Sequence, residues 1–507
     1  MNSLQSPGLF PNDEHNLELL FRVHPEEWRS PEPHPIYNLV VIGAGTAGLI
    51  SALGCAALGG KVALVERHLM GGDCLNVGCV PSKSLLRSSR AASDMRNADR
   101  FGLTPYEIGA GDFPCVMERL RRIRASISEN DSAERYTSLG VHVFFGEASF
   151  ENDTAVVVGG KTLRFKKAII ATGARAVHPD IPGLGTDFLT NETVFNLTEL
   201  PPRLAVIGGG PIGCELSQAF RRLGAEVTII QHGRFLPRED PEASALLASV
   251  FEREGISVLP ESKPLRVEAA ESGKRIFVQT PEGERIVEAD AILIGAGRRP
   301  NVEGLYLEKA GVAYDDRRGV HVDDFLRTSN PNIFGAGDIC MNWKFTHAAD
   351  AAARIAVQNA LFRGRKRLSS LLMPWCTYTE PEIAHVGLYE HEAGEKGIPV
   401  DVFKVDLAEV DRAVTDGESE GFVKVVVKKG TDKILGATIV SSHAGESISE
   451  ISAAMRGRIG LKGLADVIHP YPTQADAIRR VAAVWNKTRL TPFVAGILKW
   501  WLKAQLR

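Results

Sequence analysis

The stretch Tyr37-Asn-Leu-Val-Val-Ile42, followed at once by Gly43-Ala-Gly45-Thr-Ala-Gly48, decides the fold of this chain. A short apolar run, a G-x-G-x-x-G motif and an Ala- and Leu-rich segment predict a strand, a tight turn and a helix. The first glycine permits the turn, the second lets a pyrophosphate approach the backbone, and the third lets the helix pack closely on the strand. A second strand, Lys61-Val-Ala-Leu-Val65, ends at Glu66, whose carboxylate is placed to accept hydrogen bonds from a ribose hydroxyl.

The same unit recurs later in the chain. It consists of the strand Arg203-Leu-Ala-Val-Ile207, the loop Gly208-Gly-Gly210-Pro-Ile-Gly213, a helix, and the strand Ala225-Glu-Val-Thr-Ile-Ile230. From the first glycine to the residue that closes the second strand the offset is 23 in both copies, 43 to 66 and 208 to 231. One glycine motif is weak evidence, but two with the same internal spacing predict two nucleotide-binding α/β units.

The two copies differ where the ribose would bind. Glu66 in the first copy becomes Gln231 in the second, and His232 and Arg234 follow it. A carboxylate would repel a 2′-phosphate, whereas a neutral residue beside cations accommodates one. The second copy is therefore expected to bind NADPH, with NADH bound through Gln231 as the alternative.

Composition excludes several classes of protein. The chain has 59 Lys plus Arg against 62 Asp plus Glu, a formal charge of −3, so it has no global basic field for nucleic acid. Its seven Cys among 507 residues do not form the framework of a disulfide-rich protein. No apolar run reaches the roughly 18 residues of a membrane helix, and the N-terminus does not resemble a secretory signal. A cytoplasmic location is expected.

Both ends of the chain are expected to lie outside the catalytic body. Residues 1–35 contain several prolines around one helical patch, Asn16 to Phe21, and are expected to drape on the body or to be partly disordered. Residues 490–507 predict a basic amphipathic helix that begins at Thr491-Pro492. Packing of this helix on its own body or on a partner subunit is favoured over contact with an anionic membrane surface.

A cysteine pair lies in the sequence Gly71-Gly72-Asp-Cys74-Leu-Asn-Val-Gly-Cys79-Val-Pro81-Ser-Lys83. Five positions on an ideal helix place two side chains about 140° apart, too far for a disulfide, so a bond requires a break before Cys79. Pro81 suits the first turn of a helix that begins around Val80, which places Cys79 at a helix N-terminus, where the pKa of a thiol is lowered. Lys83, four residues on, faces the same side of that helix. Zinc binding is disfavoured because no second Cys pair is present.

This constellation resembles the class I pyridine nucleotide–disulfide oxidoreductases, the family of glutathione reductase, dihydrolipoamide dehydrogenase and mercuric reductase. The resemblance covers about residues 36–490 and is carried chiefly by the Gly71–Lys83 motif. It implies an α/β architecture of Rossmann-like FAD and NAD(P) domains, the second inserted in the first, followed by an α+β dimerisation domain. The implied boundaries are an extension (1–35), the first segment of the FAD domain (36–173), the NAD(P)H domain (174–297), the second segment of the FAD domain (298–373), the dimerisation domain (374–489) and the amphipathic helix (490–507).

The resemblance also implies roles for individual residues. FAD would be bound by the first glycine loop, Glu66, Gly72 and Asp338, and NAD(P)H by the second loop. Ala171-Thr172-Gly173 and the segment containing Gly297 resemble the crossovers between the nucleotide domains. Glu215 matches the carboxylate that pairs with the helix lysine, here Lys83. His347 is expected near the flavin edge or in a structural role.

The same family implies that hydride passes from NADPH to flavin and then to the Cys74–Cys79 disulfide. Cys79 would be the thiolate stacked on the flavin and Cys74 the exchange thiol that meets the substrate. Both could bind a substrate metal transiently. The protein would be a homodimer, because the family donates a C-terminal acid/base loop across the subunit interface.

That loop departs from the H-P-T-x-x-E of thiol–disulfide members. Here it reads His469-Pro-Tyr471-Pro-Thr473-Gln-Ala-Asp476, so Tyr471 occupies the base position, Asp476 that of the orienting acid, and His469 lies two residues early. A Tyr with a pKa near 10 is a poor base, and mercuric reductases also carry a Tyr here. The loop favours reduction of a soft metal ion such as Hg(II), which needs no proton delivered to a leaving thiol. The alternatives are a disulfide reductase that uses His469 and an NADPH–quinone reductase.

Overall fold

The structure is a computed structural model that describes residues 8–107 and 109–506. Its contacts divide the chain into two compact units. The first contains the residues up to Asn97, Pro105–His232 and Gly255–Leu371; the second contains Ala98–Thr104, Gly233–Glu254 and the residues from Leu372 onward. Helices and strands are numbered below in chain order.

The main sheet of the first unit contains the first glycine loop. Its strands are β1 (Tyr37–Ile42), β2 (Val62–Glu66), β3 (Val141–Phe145), β4 (Ala148–Asn152), β5 (Ala155–Val158), β6 (Lys161–Ile170) and β18 (Ile333–Gly335). They follow the order β3-β2-β1-β6-β5-β4, with β18 paired to β6. β1 runs parallel to both β2 and β6, so the carboxyl ends of these strands meet at the loop that follows β1. The predicted strand–loop–helix unit is confirmed.

A second parallel sheet carries the second glycine loop. Its strands are β8 (Arg203–Ile207), β9 (Glu226–Ile230), β10 (Ile256–Leu259) and β14 (Ala291–Ile294), in the order β10-β9-β8-β14. Beside it lies an antiparallel sheet formed by β11 (Lys263–Ala269), β12 (Lys274–Thr280) and β13 (Gly283–Ala289). One apolar core joins these two sheets, because buried side chains of β8 and β14 pack with those of β12 and β13.

Short ladders complete the strands of the first unit. They are the pair β7 (Ala174–Ala176) and β15 (Arg298–Pro300) and the pair β16 (Tyr314–Asp315) and β17 (Gly319–Val320), both antiparallel. The pairing of β7 with β15 joins the two segments that the sequence marks as crossovers.

Helices of the first unit cover its sheets and hold the cysteine pair. They are α1 (Glu14–Val23), α2 (Thr46–Ala56), α3 (Gly72–Asn76), α4 (Cys79–Arg96), α5 (Phe113–Ser128), α6 (Ala133–Ser138), α7 (Pro211–Arg222) and α9 (Thr346–Phe362). The predicted helical patch in the N-terminal extension is α1, which is longer than expected. Its Asn16 side chain accepts a hydrogen bond from buried Arg124 on α5, so this portion of the extension packs on the body.

The second unit is built around an antiparallel sheet. Its strands are β19 (Pro374–Thr377), β20 (Glu382–Gly387), β21 (Val400–Asp406), β22 (Phe422–Lys428) and β23 (Ile434–Ser441), in the order β19-β20-β23-β22-β21. Its helices are α8 (Pro241–Arg253), α10 (Glu390–Glu395), α11 (Asp411–Thr415), α12 (Ala444–Gly457), α13 (Leu461–Ala465), α14 (Asp476–Thr488) and α15 (Pro492–Ala504). Buried residues of β22, β23, α12 and α14 form its core.

The C-terminal helix α15 begins where the Thr-Pro signal places it, and the Thr491 side chain accepts a hydrogen bond from the Val494 amide. None of its residues is buried. The expected packing of this helix on its own body is therefore wrong, because no apolar surface within the described residues covers it. Among the helices within residues 8–107 and 109–506, none is long and apolar enough to cross a membrane.

Candidate active site

The cysteine pair lies where one helix ends and the next begins. Cys74 belongs to the short helix α3, and Cys79 is the first residue of α4. Val77 and Gly78 leave helical geometry between them, and a Cβ on Gly78 would approach the Asp73 carbonyl oxygen to 2.7 Å. The predicted break before Cys79 is confirmed, and the helix begins one residue earlier than expected. Both residues are thiols here.

The pKa values of the two thiols are shifted in opposite directions. The pKa of Cys79 is lowered to about 6 by its hydrogen bond to Cys74, with further help from Thr346 and the charge on Lys83. The pKa of Cys74 is raised well above its usual range by the same hydrogen bond, by burial and by the Asp131 carboxylate. At neutral pH the pair therefore holds one proton on Cys74 and a thiolate on Cys79.

Lys83 lies one turn beyond Cys79 on α4, and its ammonium group is 2.8 Å from the Glu215 carboxylate on α7. Glu215 is buried, so the ion pair joins the cysteine helix to the helix that follows the second glycine loop. The partnership that the resemblance implied for these residues is therefore present in the structure. The lysine also lowers the pKa of Cys79, while Glu215 opposes that effect.

Thr346 is a site residue that the sequence did not reveal. It is the first residue of α9, and its Oγ1 lies 3.2 Å from Cys79 Sγ. The sequence drew attention to the next residue, His347, which is exposed and stacks on Phe345 with ring centroids 5.3 Å apart. The only signal for Thr346 was its place beside His347, because 267 positions separate it from Cys79.

A cavity of about 170 Å³ opens on the side of Cys74. Apolar side chains, among them Leu49 and Ile127, form most of its lining, and Asp131 brings a carboxylate into it. Burial raises the pKa of Asp131 to about 6. Cys74, the expected exchange thiol, therefore faces a small, largely apolar cavity that carries a negative charge above about pH 6, and sequence reasoning missed this acid.

The first glycine loop forms a close-packed cradle. Gly43 has a φ of +99°, and a Cβ there would lie 2.5 Å from the Ala171 carbonyl oxygen. A Cβ on Gly48 would lie 1.7 Å from the Gly43 carbonyl oxygen, which explains the close approach of helix and strand. Gly45 and Gly72 meet backbone to backbone, since a Cβ on Gly72 would lie 2.6 Å from the Gly45 Cα. This arrangement fits the pyrophosphate of a dinucleotide, which needs exposed backbone amides at a helix N-terminus.

The second loop repeats this geometry. A Cβ on Gly213 would lie 1.9 Å from the Gly208 carbonyl oxygen, and one on Gly208 would lie 2.6 Å from the Gly295 carbonyl oxygen. A Cβ on Gly210 would meet nothing within 4 Å, so the backbone of the middle glycine is open to a ligand. The two glycine loops, which resemble each other in sequence, therefore also make equivalent backbone contacts.

The residues that close the second strand of each copy also occupy equivalent positions. Glu66 accepts hydrogen bonds from the Ala44 amide at 2.7 Å and from the His68 amide at 2.8 Å. Gln231 accepts one from the Gly209 amide at 2.7 Å. In each copy, a backbone N–H of the glycine loop therefore holds the side chain against the loop. That side chain is the Glu66 carboxylate in the first copy and the Gln231 carboxamide in the second.

The basic residues that follow Gln231, His232 and Arg234, are exposed. His232 lies at the surface, and the Arg234 guanidinium donates to the carbonyl oxygens of Pro237 at 2.9 Å and Glu239 at 3.1 Å. Their role toward a 2′-phosphate stays a prediction.

The crossover segments bond to each other. Thr172 Oγ1 donates to the Asn301 backbone carbonyl oxygen at 2.8 Å. The Asn301 backbone N–H donates to the Gly173 carbonyl oxygen at 3.0 Å. The Gly297 carbonyl oxygen accepts from the Val177 amide at 3.1 Å. These bonds fix the backbone between the two nucleotide-binding sheets.

Asp338 follows β18 and lies beside Arg298, whose Nε is 3.6 Å from its carboxylate. Arg298 also pairs with Asp73, the neighbour of Cys74. Its buried Nε has no hydrogen-bond partner in the portion of the chain that the structure describes. Burial raises the pKa of Asp338. A polar group placed between these residues would satisfy both, which fits the polyol chain expected for FAD.

The C-terminal loop lies in the second unit. The Tyr471 hydroxyl is exposed and donates to Asp411 at 2.9 Å, and this bond raises the pKa of Tyr471. His469 Nε2 lies 3.0 Å from Glu450. Asp476 does not contact either residue through a hydrogen bond: it is buried and accepts from Arg479 and Arg480, each at 2.7 Å. Both carboxylate oxygens of Asp476 therefore bond to its own helix, and its expected role in orienting the base stays a prediction.

Among the described residues, no group of three or more His, Cys, Asp or Glu side chains is arranged to hold a metal ion.

Comparisons with known proteins agree with this geometry. Residues 37–353 match the family model described as pyridine nucleotide-disulphide oxidoreductase, and residues 373–482 match the dimerisation domain of the same family. The chain is 35% identical over 453 residues to a mercuric reductase from Staphylococcus aureus, covering 89% of this chain and 83% of that protein. It is also 35% identical over 462 residues to a dihydrolipoyl dehydrogenase from Chlamydia muridarum, covering 90% of this chain and 96% of that protein.

A solved structure shares the fold. The Cu(II) complex of the HOCl-induced flavoprotein disulfide reductase RclA from Escherichia coli superposes with a TM-score of 0.78 at 27% identity, covering 87% of this chain and 98% of that one. The family models together span most of the chain and include both nucleotide-binding sheets, the cysteine pair and the antiparallel sheet of the second unit. This chain belongs to the pyridine nucleotide-disulphide oxidoreductase family.

Proposed function

We propose that this protein transfers electrons from NADPH through FAD and the Cys74–Cys79 pair to a soft metal ion, with Hg(II) as the leading candidate. The overall reaction would be NADPH + Hg²⁺ → NADP⁺ + H⁺ + Hg⁰. Two electrons and one proton open the disulfide to a Cys74 thiol and a Cys79 thiolate. The ion binds both sulfurs as Cys74 releases its proton, and the disulfide forms again as the reduced metal leaves. A cytoplasmic location suits this reaction because NADPH is its reductant.

The observation that carries the choice of acceptor is the state of Tyr471. It occupies the position of the family's catalytic His, and its hydrogen bond to Asp411 raises a pKa that is already too high for a base at neutral pH. A thiol released from a disulfide substrate needs a proton, whereas a metal ion held by two thiolates does not. The name of one relative, a mercuric reductase, agrees with this choice, whereas another relative of the same identity, a dihydrolipoyl dehydrogenase, agrees with the disulfide alternative.

FAD with NAD(P)H is the cofactor pair of the family, and the residues present fit it. FAD would be held by the first glycine cradle, Glu66 and Asp338. When bound, it would supply a two-electron relay between the nicotinamide and the disulfide. The residues of the chain set the charge of the pair: the hydrogen bond to Cys74, together with Thr346 and Lys83, keeps Cys79 a thiolate, and Cys74 carries the proton until a metal ion binds.

NADPH is proposed over NADH because Gln231 replaces the carboxylate of the first copy. The Gln231→Glu variant tests this directly. We expect its preference for NADPH, expressed as the ratio of kcat/KM values, to fall at least tenfold relative to NADH, because a carboxylate repels a 2′-phosphate. An unchanged ratio would remove Gln231 from nucleotide selection.

The dimerisation domain supports a homodimer, and we propose that Tyr471 and His469 serve the cysteine pair of the partner subunit. Analytical ultracentrifugation of the holoenzyme, with activity measured across the same concentration range, tests this. An active monomer would contradict it.

The acceptor is tested with purified holoenzyme and NADPH against Hg(II), Cu(II), glutathione disulfide, lipoamide and a quinone. We expect metal-dependent NADPH oxidation that is lost in Cys74→Ser and Cys79→Ser and retained in the matched control Cys115→Ser, which removes an exposed thiol on α5. Robust turnover of glutathione disulfide or lipoamide without metal-dependent oxidation would refute the metal assignment. Quinone reduction that survives Cys79→Ala would instead indicate a quinone reductase.

A disulfide reductase is the second candidate, and one observation favours it. The His469–Glu450 pair, 3.0 Å apart, has the composition of an acid/base couple in which a carboxylate orients an imidazole. His469→Ala should then reduce lipoamide turnover at least a hundredfold, and Tyr471→Phe should not. In the metal reaction, Tyr471→Phe should instead lower the rate more than His469→Ala does.

A further inference from the structure

The C-terminal helix α15 presents a large apolar surface that the described residues do not cover. Phe493 is 77% exposed, Trp500 67% and Trp501 57%. Thr491 caps the helix, so its start is fixed locally and not by packing. Clustered exposure of this size marks a binding surface, because solvated helices ordinarily bury their apolar face.

The side chains of α15 divide unequally around its axis. At about 100° per residue, the apolar residues occupy an arc of about 200°, and lysines occupy a portion of the remaining face. The apolar arc contains Phe493, Val494, Ile497, Leu498, Trp500, Trp501 and Leu502, and the opposite face contains Lys499 and Lys503. Such a broad arc beside a narrow basic face is typical of helices that lie in a lipid interface.

The positive charge of the C-terminal segment indicates which kind of partner can cover the apolar surface of α15. The sequence after Asp476 contains no Asp or Glu up to its last residue and carries seven Lys and Arg. Arg479 and Arg480 are paired to Asp476, but the basic residues further on have no acidic residue near them in sequence. A second copy of the helix would bring like charges together, whereas an anionic lipid surface would neutralise them.

The length of the helix fixes how it would lie. Thirteen residues rise about 20 Å, which is shorter than the roughly 30 Å hydrocarbon core of a bilayer. The helix cannot span the bilayer, and its adjacent tryptophans have the amphipathic rings that favour the headgroup level.

We propose that α15 binds in the plane of an anionic membrane surface, with its apolar arc turned to the acyl chains and its lysines to the headgroup phosphates. The proposal does not depend on the electron acceptor. It assigns the protein a peripheral position on a bilayer, held by one helix in each subunit.

The test uses the full-length holoenzyme and vesicles of phosphatidylcholine alone or mixed with phosphatidylglycerol. We expect flotation with the mixed vesicles at low salt, much less with phosphatidylcholine alone, and release as salt rises. The Lys499→Glu, Lys503→Glu double variant should bind at least about 30-fold more weakly. The Trp500→Ser, Trp501→Ser double variant should lose at least tenfold.

The matched control carries Lys428→Glu and Lys429→Glu, the same charge change at two exposed lysines of the second unit. It should bind vesicles to within about threefold of the wild type. All variants should keep their flavin content and their NADPH oxidation, which shows that they fold. Absence of flotation with anionic vesicles at low salt, or an equal loss in the control, would overturn the proposal. A change in oligomeric state on Trp500→Ser, Trp501→Ser without vesicle binding would overturn it as well and assign the helix to a second copy.

Discussion

Replacement of Thr346 by Val should raise the pKa of Cys79. The two side chains have nearly the same shape, but Val lacks the hydroxyl that lies 3.2 Å from Cys79 Sγ and donates to the thiolate. A hydrogen bond to a charged group contributes about 1.5–3 kcal/mol, and one pKa unit corresponds to about 1.4 kcal/mol. The pKa of Cys79 should therefore rise from about 6 to between about 7 and 8.

A higher pKa of Cys79 lowers the fraction of this thiol that is ionised at pH 7. With a pKa near 6, Cys79 is mostly thiolate at pH 7, whereas in the variant half or more of it would be protonated. The dithiol form of the protein also gains stability from the lowered pKa. This gain is complete above the pKa of an unfolded Cys and is lost as the pH falls through about 6 in the wild type and through about 7–8 in the variant.

The assay is a pH titration of the ultraviolet thiolate absorbance of the dithiol-reduced protein. The transition at the lower pH is assigned to Cys79, because the Cys79→Ser version of each protein should lack it. Thr346→Ser is the matched control, because it keeps the hydroxyl and should titrate close to the wild type. Equal midpoints for Thr346→Val and the wild type would refute the reasoning and assign the low pKa to Cys74 and Lys83 only.

Three further predictions concern charges near the site and in the second unit. Under the disulfide-reductase alternative, Asp131→Asn should raise kcat/KM for glutathione disulfide about tenfold relative to neutral lipoamide at pH 7.5. The substitution removes the repulsion of the negatively charged glutathione, and two like charges about 10 Å apart repel by about 1.7 kcal/mol at an effective dielectric constant near 20. The effect should vanish below about pH 6, where the carboxyl is protonated in the wild type, and steady-state rates that lack this pH dependence would contradict the assignment. Glu215→Gln should lower the free energy of unfolding in urea by about 1–3 kcal/mol, because it breaks an ion pair that is buried on one side; a loss below about 0.5 kcal/mol would show the pair to be solvent-screened. Lys424→Met should lower the free energy of unfolding by about 3–5 kcal/mol in the same assay, because it leaves buried Asp240 without its cation. Lys404→Met breaks a more exposed ion pair and should lower it by less than about 1 kcal/mol. Equal losses in the two variants would contradict the role of burial.

The local signals of the sequence predicted the parallel sheets and the cysteine pair correctly. The glycine spacing in each copy is enforced by contacts within about 25 residues, such as that of Gly48 with the Gly43 carbonyl oxygen. Cys79 likewise reaches a helix N-terminus through its own neighbours, Gly78 and Pro81. Where both partners of a contact are close in sequence, periodicity and residue type were enough to predict it.

Partners that are distant in sequence were missed. Thr346 reaches Cys79 across 267 positions, and Asp131 enters the cavity at Cys74 from the end of a different helix. Neither residue belongs to a recognisable motif, so nothing in the sequence singled it out.

The sequence by itself determined the duplicated nucleotide-binding folds, the break in the helix between Cys74 and Cys79 and the amphipathic character of the last helix. Each of these is written in spacings that a single strand, turn or helix enforces. Only the tertiary structure decided which side chains set the two cysteine pKa values, which residues hold Tyr471 and His469, and that α15 leaves its apolar arc uncovered by the described residues. Electrostatic fields and burial depend on groups brought together from distant regions of the chain, and sequence spacing does not encode those distances.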